Sequence, residues 1–430
     1  MGVKFLGGMH MSNKQQIKKD ESRVCPKLRF LEFKSHKGWL VKSIGNICES
    51  YSGGTPTTTN KEFYGGNIPF IRSGEINKNS TELFLTQLGL ERSSAKLVNK
   101  GDLLFAMYGA NSGDVAVSKI NGAINQAILC LKSKESNDFI YQVLSFKKYW
   151  IVNKYLQGGQ GNLSSEIIKT IEISLPEIKE QLKIVDCLSS LDELIQNESS
   201  KLEGYKQHKD GLLQQLFPKN GESLPSLRFD EFCEEWGNIE LSKIAKPVKK
   251  KNTDQDKILT LSLSNEYGLV SQVDYFQKKI AGENTDKYIV LQKNDFVYND
   301  RITKNSTYGT IKRLSLYEEG IVSPIYKCFR FEKNQNPVFW EYFFESKSHE
   351  NEIRQIINEG ARAGRYNIST NSFLSINVML PSHLEQEKIA SCLTSLDETI
   401  TCQNNYIEYL KKHKKGLMQQ LFPVPEDTSA

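Results

Sequence analysis

Two stretches of this chain are copies of each other, and the duplication limits its architecture more than any other feature. Leu175 to Pro218 aligns without a gap on Leu380 to Pro423 at an offset of 205 residues, with 24 of the 44 positions identical. A shorter pair precedes it: Pro26-Lys27-Leu28-Arg29-Phe30-Leu31-Glu32-Phe33, followed by Trp39, returns 199 residues on as Pro225-Ser226-Leu227-Arg228-Phe229-Asp230-Glu231-Phe232, followed by Trp236. A period near 200 residues is far beyond a solenoid unit of roughly 20–45 residues. The chain is a two-part module present twice, each copy a large segment followed by a shorter one.

The shorter segments carry a helical pattern. Ile184, Leu188, Leu191, Ile195, Leu202, Tyr205, Leu212 and Leu216 alternate in steps of four and three, with polar Glu198 and Lys209 filling the two gaps. The second copy repeats this at Ile389, Leu393, Leu396, Ile400, Ile407, Leu410, Leu417 and Leu421, with Gln403 and Lys414 in the gaps. Such a stripe needs an apolar partner, and the matching stripe in the same chain is the nearest one, so an intramolecular coiled coil is expected. Polar seam positions set register at some cost in stability. Pro176 and Pro381 stand just before the helices, and Pro218 and Pro423 stop them.

The larger segments are mixed, with strands and turns outweighing helix. Ser52-Gly53-Gly54-Thr55-Pro56 is turn chemistry, and Gly65-Gly66-Asn67 leads into the apolar run Ile68-Pro69-Phe70-Ile71. Asp102-Leu103-Leu104-Phe105-Ala106 and Asp295-Phe296-Val297-Tyr298 read as equivalent buried strands after Lys100-Gly101 and Lys293-Asn294. The sequences between these landmarks do not match. A common scaffold with different loops suits one architecture directed at two targets.

Composition excludes several classes. At 430 residues, 38% hydrophobic and 25% charged, the chain has room for two to four domains with their own cores. The eight cysteines form no Cys-x-x-Cys pair and no His-Cys cluster at zinc-ligand spacing, so reduced thiols and no metal are expected. Met1 to Asp20 holds only short apolar pieces, which fit neither a secretory leader nor a membrane span, and a cytoplasmic location is expected. Residues 1–10, ahead of Met11, read as an upstream start or a cloning remnant and are left out of the fold reading. The net charge of +5 is modest, but Lys246 to Arg313 holds 13 Lys and Arg against 8 Asp and Glu, an excess equal to that of the whole chain.

No Gly-x-x-x-x-Gly-Lys phosphate loop, His-Glu-x-x-His site or Gly-x-Ser-x-Gly elbow is present. Asn336-Pro337-Val338-Phe339 is superficially like the Asn-Pro-Pro-Tyr/Phe motif of amino-methyltransferases, yet it lacks the second proline and a preceding glycine-rich cofactor strand. Asn as a helix N-cap with Pro at the first helical position explains it more simply. His208 and His413 are repeat equivalents among lysines near helix ends and read as dipole-complementing residues rather than ligands.

From Pro26 to Pro423 the chain resembles the specificity subunits of type I restriction-modification systems. The resemblance rests on Ser52-Gly53-Gly54-Thr55-Pro56, Asn67-Ile68-Pro69-Phe70, the paired Lys-Gly-Asp-like strands, and Gln160-Gly161-Asn162-Leu163-Ser164 with Gly364-Arg365-Tyr366-Asn367-Ile368-Ser369. Leu175-Pro176, Glu180-Gln181 and Leu191-Asp192-Glu193, with their second copies, add to it. The second globular segment departs from the family in lacking Gly-Gly-Thr-Pro. The resemblance implies an α+β chain with two α/β target-recognition domains, each followed by a long helix, the two helices pairing as an antiparallel coiled-coil spacer. It divides the sequence into a disordered tail (1–25), a first recognition domain (26–175), a first helical repeat (176–218), a second recognition domain (219–379), a second helical repeat (380–423) and a C-terminal tail (424–430). From Ile184 to Leu216 the helix spans about 48 Å at 1.5 Å per residue, more than one turn of B-DNA at about 34–36 Å.

The resemblance further implies a non-catalytic subunit that recognises a bipartite, asymmetric double-stranded DNA target. It docks two methyltransferase (M) subunits and restriction (R) subunits, with no membrane partner, in bacterial defence. S-adenosylmethionine for adenine N6 methylation, and ATP and Mg for translocation and cleavage, are then expected on those partners and not on this chain. For DNA contacts, polar and basic side chains in loop-rich segments are the candidates. In the first domain these are Lys61, Tyr64, Arg72, Ser73, Asn111, Gln160 and Asn162; in the second, Lys249, Lys250, Lys251, Arg301, Lys304, Asn305, Tyr308, Arg362, Arg365 and Asn367. A self-contained DNA-modifying enzyme would need a cofactor motif, and a scaffold coiled coil would not need two large diverged domains.

Overall fold

The turn that opens the central strand is built the same way twice. Gly101 and Asn294 both adopt left-handed backbone, with φ of 95° and 72°, a conformation that glycine takes freely and asparagine more readily than other residues. The carboxylate that follows closes the turn: Asp102 accepts from the Asn99 N–H at 2.8 Å, and Asp295 from the Gln292 N–H at 2.7 Å. Each Asp also pairs with a cation on the neighbouring strand, Asp102 with Lys132 at 3.0 Å and Asp295 with Arg330 at 2.5 Å. Strands Leu103–Ala106 and Phe296–Asn299 start from these turns.

The computed structural model describes residues 22–156, 162–219, 221–254, 256–276, 285–303, 306–357 and 364–423. The chain divides into two compact units, one from residues up to Asn197 and from Ile407 onward, the other Glu198–Tyr406. Each contains a four-stranded antiparallel sheet with the same strand order. In the first unit the order is Cys48–Ser52, Ile128–Ser133, Leu103–Ala106, Val115–Val117, and in the second Ala245–Pro247, Lys327–Phe331, Phe296–Asn299, Thr310–Arg313. A second four-stranded sheet in the first unit joins Leu83–Leu85, Tyr64–Ile71, Gly122–Ile124 and Lys96–Val98. In the second unit, separate two-stranded ladders pair Leu261–Ser264 with Gly268–Ser271 and Ile289–Gln292 with Glu319–Val322. Order begins ahead of Pro26, inside the segment expected to be a disordered tail: Arg23–Val24 pair with Trp39–Leu40 on the edge of a three-stranded sheet, which satisfies backbone groups there.

The cores explain the short duplicated motifs. In the first unit Trp39 and Phe139 meet Phe422 from the end of the second long helix, with Phe139 and Phe422 rings 5.9 Å apart. In the second unit Trp236 and Phe339 meet Phe217 from the end of the first, with Phe217 and Phe339 at 5.4 Å. Each fully buried aromatic contributes roughly 1.5–3 kcal/mol. Leu-Arg-Phe supplies an ion pair to a buried glutamate in both units, Arg29 to Glu180 at 2.7 Å and Arg228 to Glu385 at 2.7 Å. The adjoining glutamines, Gln181 and Gln386, turn back to the carbonyls of Pro176 and Pro381. These contacts account for the repeated Leu-Pro and Glu-Gln pairs.

The long helices span Ile178–Gln215 and His383–Leu421 and pair antiparallel. In the first unit Lys414 Nζ donates to both carboxylate oxygens of Asp192, at 2.7 and 2.6 Å. In the second, the repeat-equivalent Lys209 Nζ lies 2.8 Å from Asp397 and 3.0 Å from Glu345. Burial opposes the charge on Lys209, but Glu345 and Asp397 outweigh it and hold the ammonium above the ordinary lysine range. Of the seam, Ile184, Leu188, Leu216, Ile389, Leu393, Ile407, Leu410 and Leu421 are buried, and Leu191, Ile195, Leu202, Tyr205, Leu212, Leu396, Ile400 and Leu417 half-buried. Near the helix ends Leu213 and Met418 are more buried than their seam neighbours Leu212 and Leu417, because the final turns face the globular cores. Among the described residues no helix is long and apolar enough to cross a membrane.

Candidate nucleic-acid interface

In the first unit the strand Leu103–Ala106 runs out into a loop where several candidates meet. The Leu163 N–H donates to the Met107 carbonyl at 2.8 Å, which brings exposed Asn162 to the strand end. A Cβ on Gly74 would stand 3.2 Å from Asn111 Nδ2, and one on Gly109 3.9 Å from Ser73 Oγ, so Ser73 and Asn111 lie together. The Ser-Gly-Gly-Thr-Pro loop is held by close backbone approach. A Cβ on Gly53 would lie 1.8 Å from the Ile124 carbonyl oxygen, which no other residue can accommodate, and Thr55 bonds Gln126.

Tyr64 and Arg72 are engaged inside the protein. Tyr64 donates its hydroxyl to the Pro56 carbonyl at 2.8 Å, and burial pushes its phenol up. Arg72 contacts Glu75 at 3.0 Å and Glu82 at 2.5 Å; hydrogen bonding to Glu75 and then to Glu82 raises its pKa. Burial would raise the Glu75 carboxyl, yet Arg72 and backbone N–H groups hold it below its usual range. Lys61, by contrast, is exposed in the short turn Lys61–Phe63 and has no ion-pair partner among the described residues.

In the second unit the candidates fall into two groups. Lys249, Lys250 and Lys251 are exposed on an extended segment pinned by its backbone, with the Val248 N–H on the Cys328 carbonyl at 2.9 Å and the Val290 N–H on the Lys250 carbonyl at 2.8 Å. None has an ion pair among the described residues, so their charge is available to an anion. Elsewhere, Arg301 and Arg365 face each other across an antiparallel bridge. Tyr308 stacks on Tyr366, ring centroids 6.4 Å apart and 17° between planes. Asn367 is exposed at φ 54°. Arg301 is exposed, while Arg365 reaches Asp300 at 3.3 Å. Gln160, Lys304, Asn305 and Arg362 lie outside the described residues. Asp300 and Lys327, which the structure places beside these candidates, carry no sequence signal beyond a carboxylate directly after an apolar strand, and Tyr366 stands in the Gly364–Ser369 motif without being among the contact candidates.

Asn336 caps the helix Pro337–Glu345, its side chain accepting from the Val338 and Phe339 N–H groups, as the capping pattern predicts. His208 and His413 are exposed on the long helices.

Two copies of one sheet-and-helix framework, carrying unlike loops and followed by duplicated long helices, are the architecture of a tandem recognition protein. The chain belongs to the type I restriction modification DNA specificity domain family, that of the specificity subunits of type I restriction-modification systems, whose model matches residues 36–204 and 233–412. It is 23% identical over 404 residues to the type I restriction enzyme MjaVIII specificity subunit of Methanocaldococcus jannaschii, covering 89% of this chain and 92% of that protein. To the EcoR124I/EcoR124II specificity subunit of Escherichia coli it is 26% identical over 164 residues, 36% of this chain and 41% of that one. The crystal structure of the type I restriction-modification S subunit from M. genitalium matches with a TM-score of 0.55 at 16% identity, covering 94% of this chain and 100% of that one. This likeness carries the fold.

Proposed function

We propose that this specificity subunit reads a bipartite, asymmetric double-stranded DNA target, with the domain at residues 26–175 reading one half-site and that at 219–379 the other. The observation that carries the reading is the contrast between a duplicated framework and unlike loops. One strand order recurs, but the first unit gathers Ser73, Asn111 and Asn162, whereas the second presents Lys249, Lys250, Lys251 and Arg301 as exposed cations. Exposed cations bind phosphates without regard to sequence, and loop side chains at strand ends reach base edges.

The same reading makes the chain a non-catalytic adaptor acting on cytoplasmic DNA. Two homologous helical repeats offer two similar surfaces for two methyltransferase subunits, and restriction subunits complete the assembly. S-adenosylmethionine, ATP and Mg belong to those partners. The test is selection of bound duplexes from a randomised library by the complex reconstituted with its methyltransferase. A split motif with two unlike halves is expected, and enrichment of no sequence would refute the proposal.

A further inference from the structure

Asp300 is the most enclosed carboxylate beside the candidate loops of the second unit, with its side chain 0% exposed. Burying a carboxylate is costly unless cations and N–H groups surround it. Here Oδ2 accepts from Lys327 Nζ at 2.6 Å and from the Ile368 N–H at 3.1 Å, while Oδ1 accepts from Arg365 at 3.3 Å. The backbone joins the same two segments, the Tyr366 N–H meeting the Asp300 carbonyl at 3.3 Å and the Ile302 N–H the Gly364 carbonyl at 2.8 Å.

The matching place in the first unit shows what this carboxylate replaces. Asp300 follows the strand Phe296–Asn299 as Met107 follows Leu103–Ala106, and Asn367-Ile368-Ser369 corresponds to Asn162-Leu163-Ser164. There the Leu163 N–H is held by the Met107 carbonyl; here the Ile368 N–H is held by a side chain that also holds two cations. The acceptor of this N–H has passed from a backbone carbonyl to a buried charge, while the Asp300 carbonyl takes the Tyr366 N–H instead.

We propose that Asp300 is the positioning residue of the second recognition loop: it fixes Arg365, Tyr366 and Asn367 against Arg301 and Tyr308, so that reading of one half-site depends on it and reading of the other does not. The inference rests on the DNA-reading function proposed above. Asp300 is buried and acts through these neighbours.

The experiment is the randomised-duplex selection with the whole reconstituted complex, run for the wild type, for Asp300→Asn and for the double variant Asp300→Met with Lys327→Met. The double variant copies the methionine of the first unit and leaves no unpaired lysine, so it keeps the question open to measurement if Asp300→Asn does not fold. Expected is an unchanged first half-site, a second half-site with degraded preference at one or more positions, and affinity for the wild-type duplex lowered about tenfold or more. Exchange of the Ile368 amide should also quicken in the double variant, which has no carboxylate to accept from it. If the folded variants select the wild-type second half-site unchanged, or lose both halves equally, Asp300 is not the positioning residue. If the wild type itself selects no sequence, the DNA-reading function fails and takes this inference with it.

Discussion

Gln403 Nε2 donates to Glu198 Oε2 at 2.6 Å and to the Glu198 carbonyl at 3.0 Å, although the two residues occupy the same position of the repeat. Identical side chains would meet their own kind here, and the Glu/Gln difference gives an acceptor a donor. Replacing Gln403, which is 8% exposed, by Glu sets two carboxylates against each other. A loss on the order of 1–3 kcal/mol at pH 7 is expected. The penalty should shrink as pH falls and one carboxyl takes up a proton, which denaturant melts at pH 7 and pH 5 would show. Equal losses at both pH values would mean that charge repulsion is not the cause.

Phe217 and Phe422 are 1% and 2% exposed, each closing an aromatic cluster. Phe217→Ala and Phe422→Ala should each cost about 3–5 kcal/mol. Because Phe217 packs within one unit and Phe422 within the other, hydrogen exchange should quicken around Phe339 in the first variant and around Phe139 in the second. A loss of protection spread evenly over both units would contradict this assignment.

These ends mark the limit of what the sequence discloses. The helices, their seam and the N-cap at Asn336 are legible because helical periodicity and capping are local signals. So are the strands after Gly101 and Asn294, where the turn residue and the following Asp stand side by side. That Phe422, just past the second long helix, completes a core begun at Trp39 is a contact of long sequence separation with no local signature. Arg72 misleads for a related reason. Nothing in the sequence marks Glu75 and Glu82 as its partners, and only folding brings both onto its guanidinium. Asp300 is hidden likewise, since its cations come from Lys327 and Arg365.

His349 is a buried imidazole packed edge-on against Phe344 at 5.1 Å, and burial, aided by Lys347, pushes its pKa down to about 3. Its folded pKa lies below the unfolded one, so its contribution is fully present above about pH 6.5 and is lost as pH falls towards 3. Between those values unfolding takes up one proton, and stability should fall by about 1.4 kcal/mol per pH unit from this residue alone. His349→Phe removes the proton uptake. Denaturation of both proteins between pH 7 and pH 4 should show a shallower decline in the variant, and parallel curves would argue against a buried neutral imidazole.

The cations of the two units should separate into those that bind DNA phosphate and those that hold the protein together. Replacing Lys249, Lys250 and Lys251 by Gln should leave the melting temperature nearly unchanged while reducing the salt dependence of DNA affinity, by about 1 in log–log slope for each lysine on a phosphate. Arg72→Gln should behave oppositely, because it leaves Glu75, 4% exposed, without its cation: a stability loss on the order of 1–3 kcal/mol with an unaltered salt slope. Binding titrations across a salt series, beside thermal melts, measure both quantities. An undiminished slope in the triple lysine variant would remove that segment from the interface.

The strongest consequence of the duplicated framework concerns autonomy. The second copy carries its own sheet, its own Asp295–Arg330 pair and its own anchor between Arg228 and Glu385. If each domain reads its own half-site, loop identity is separable from the scaffold that holds it. Exchanging residues from about Pro225 to Met379 for the corresponding segment of another specificity subunit keeps Glu385 and the long helices, and the incoming segment supplies its own loops. Methylation mapping of the reconstituted complex should then show one half-site rewritten and the other retained. Were a single exchange to rewrite both halves, the two domains would be reading one composite surface, and the assignment of one half-site to each would have to be abandoned.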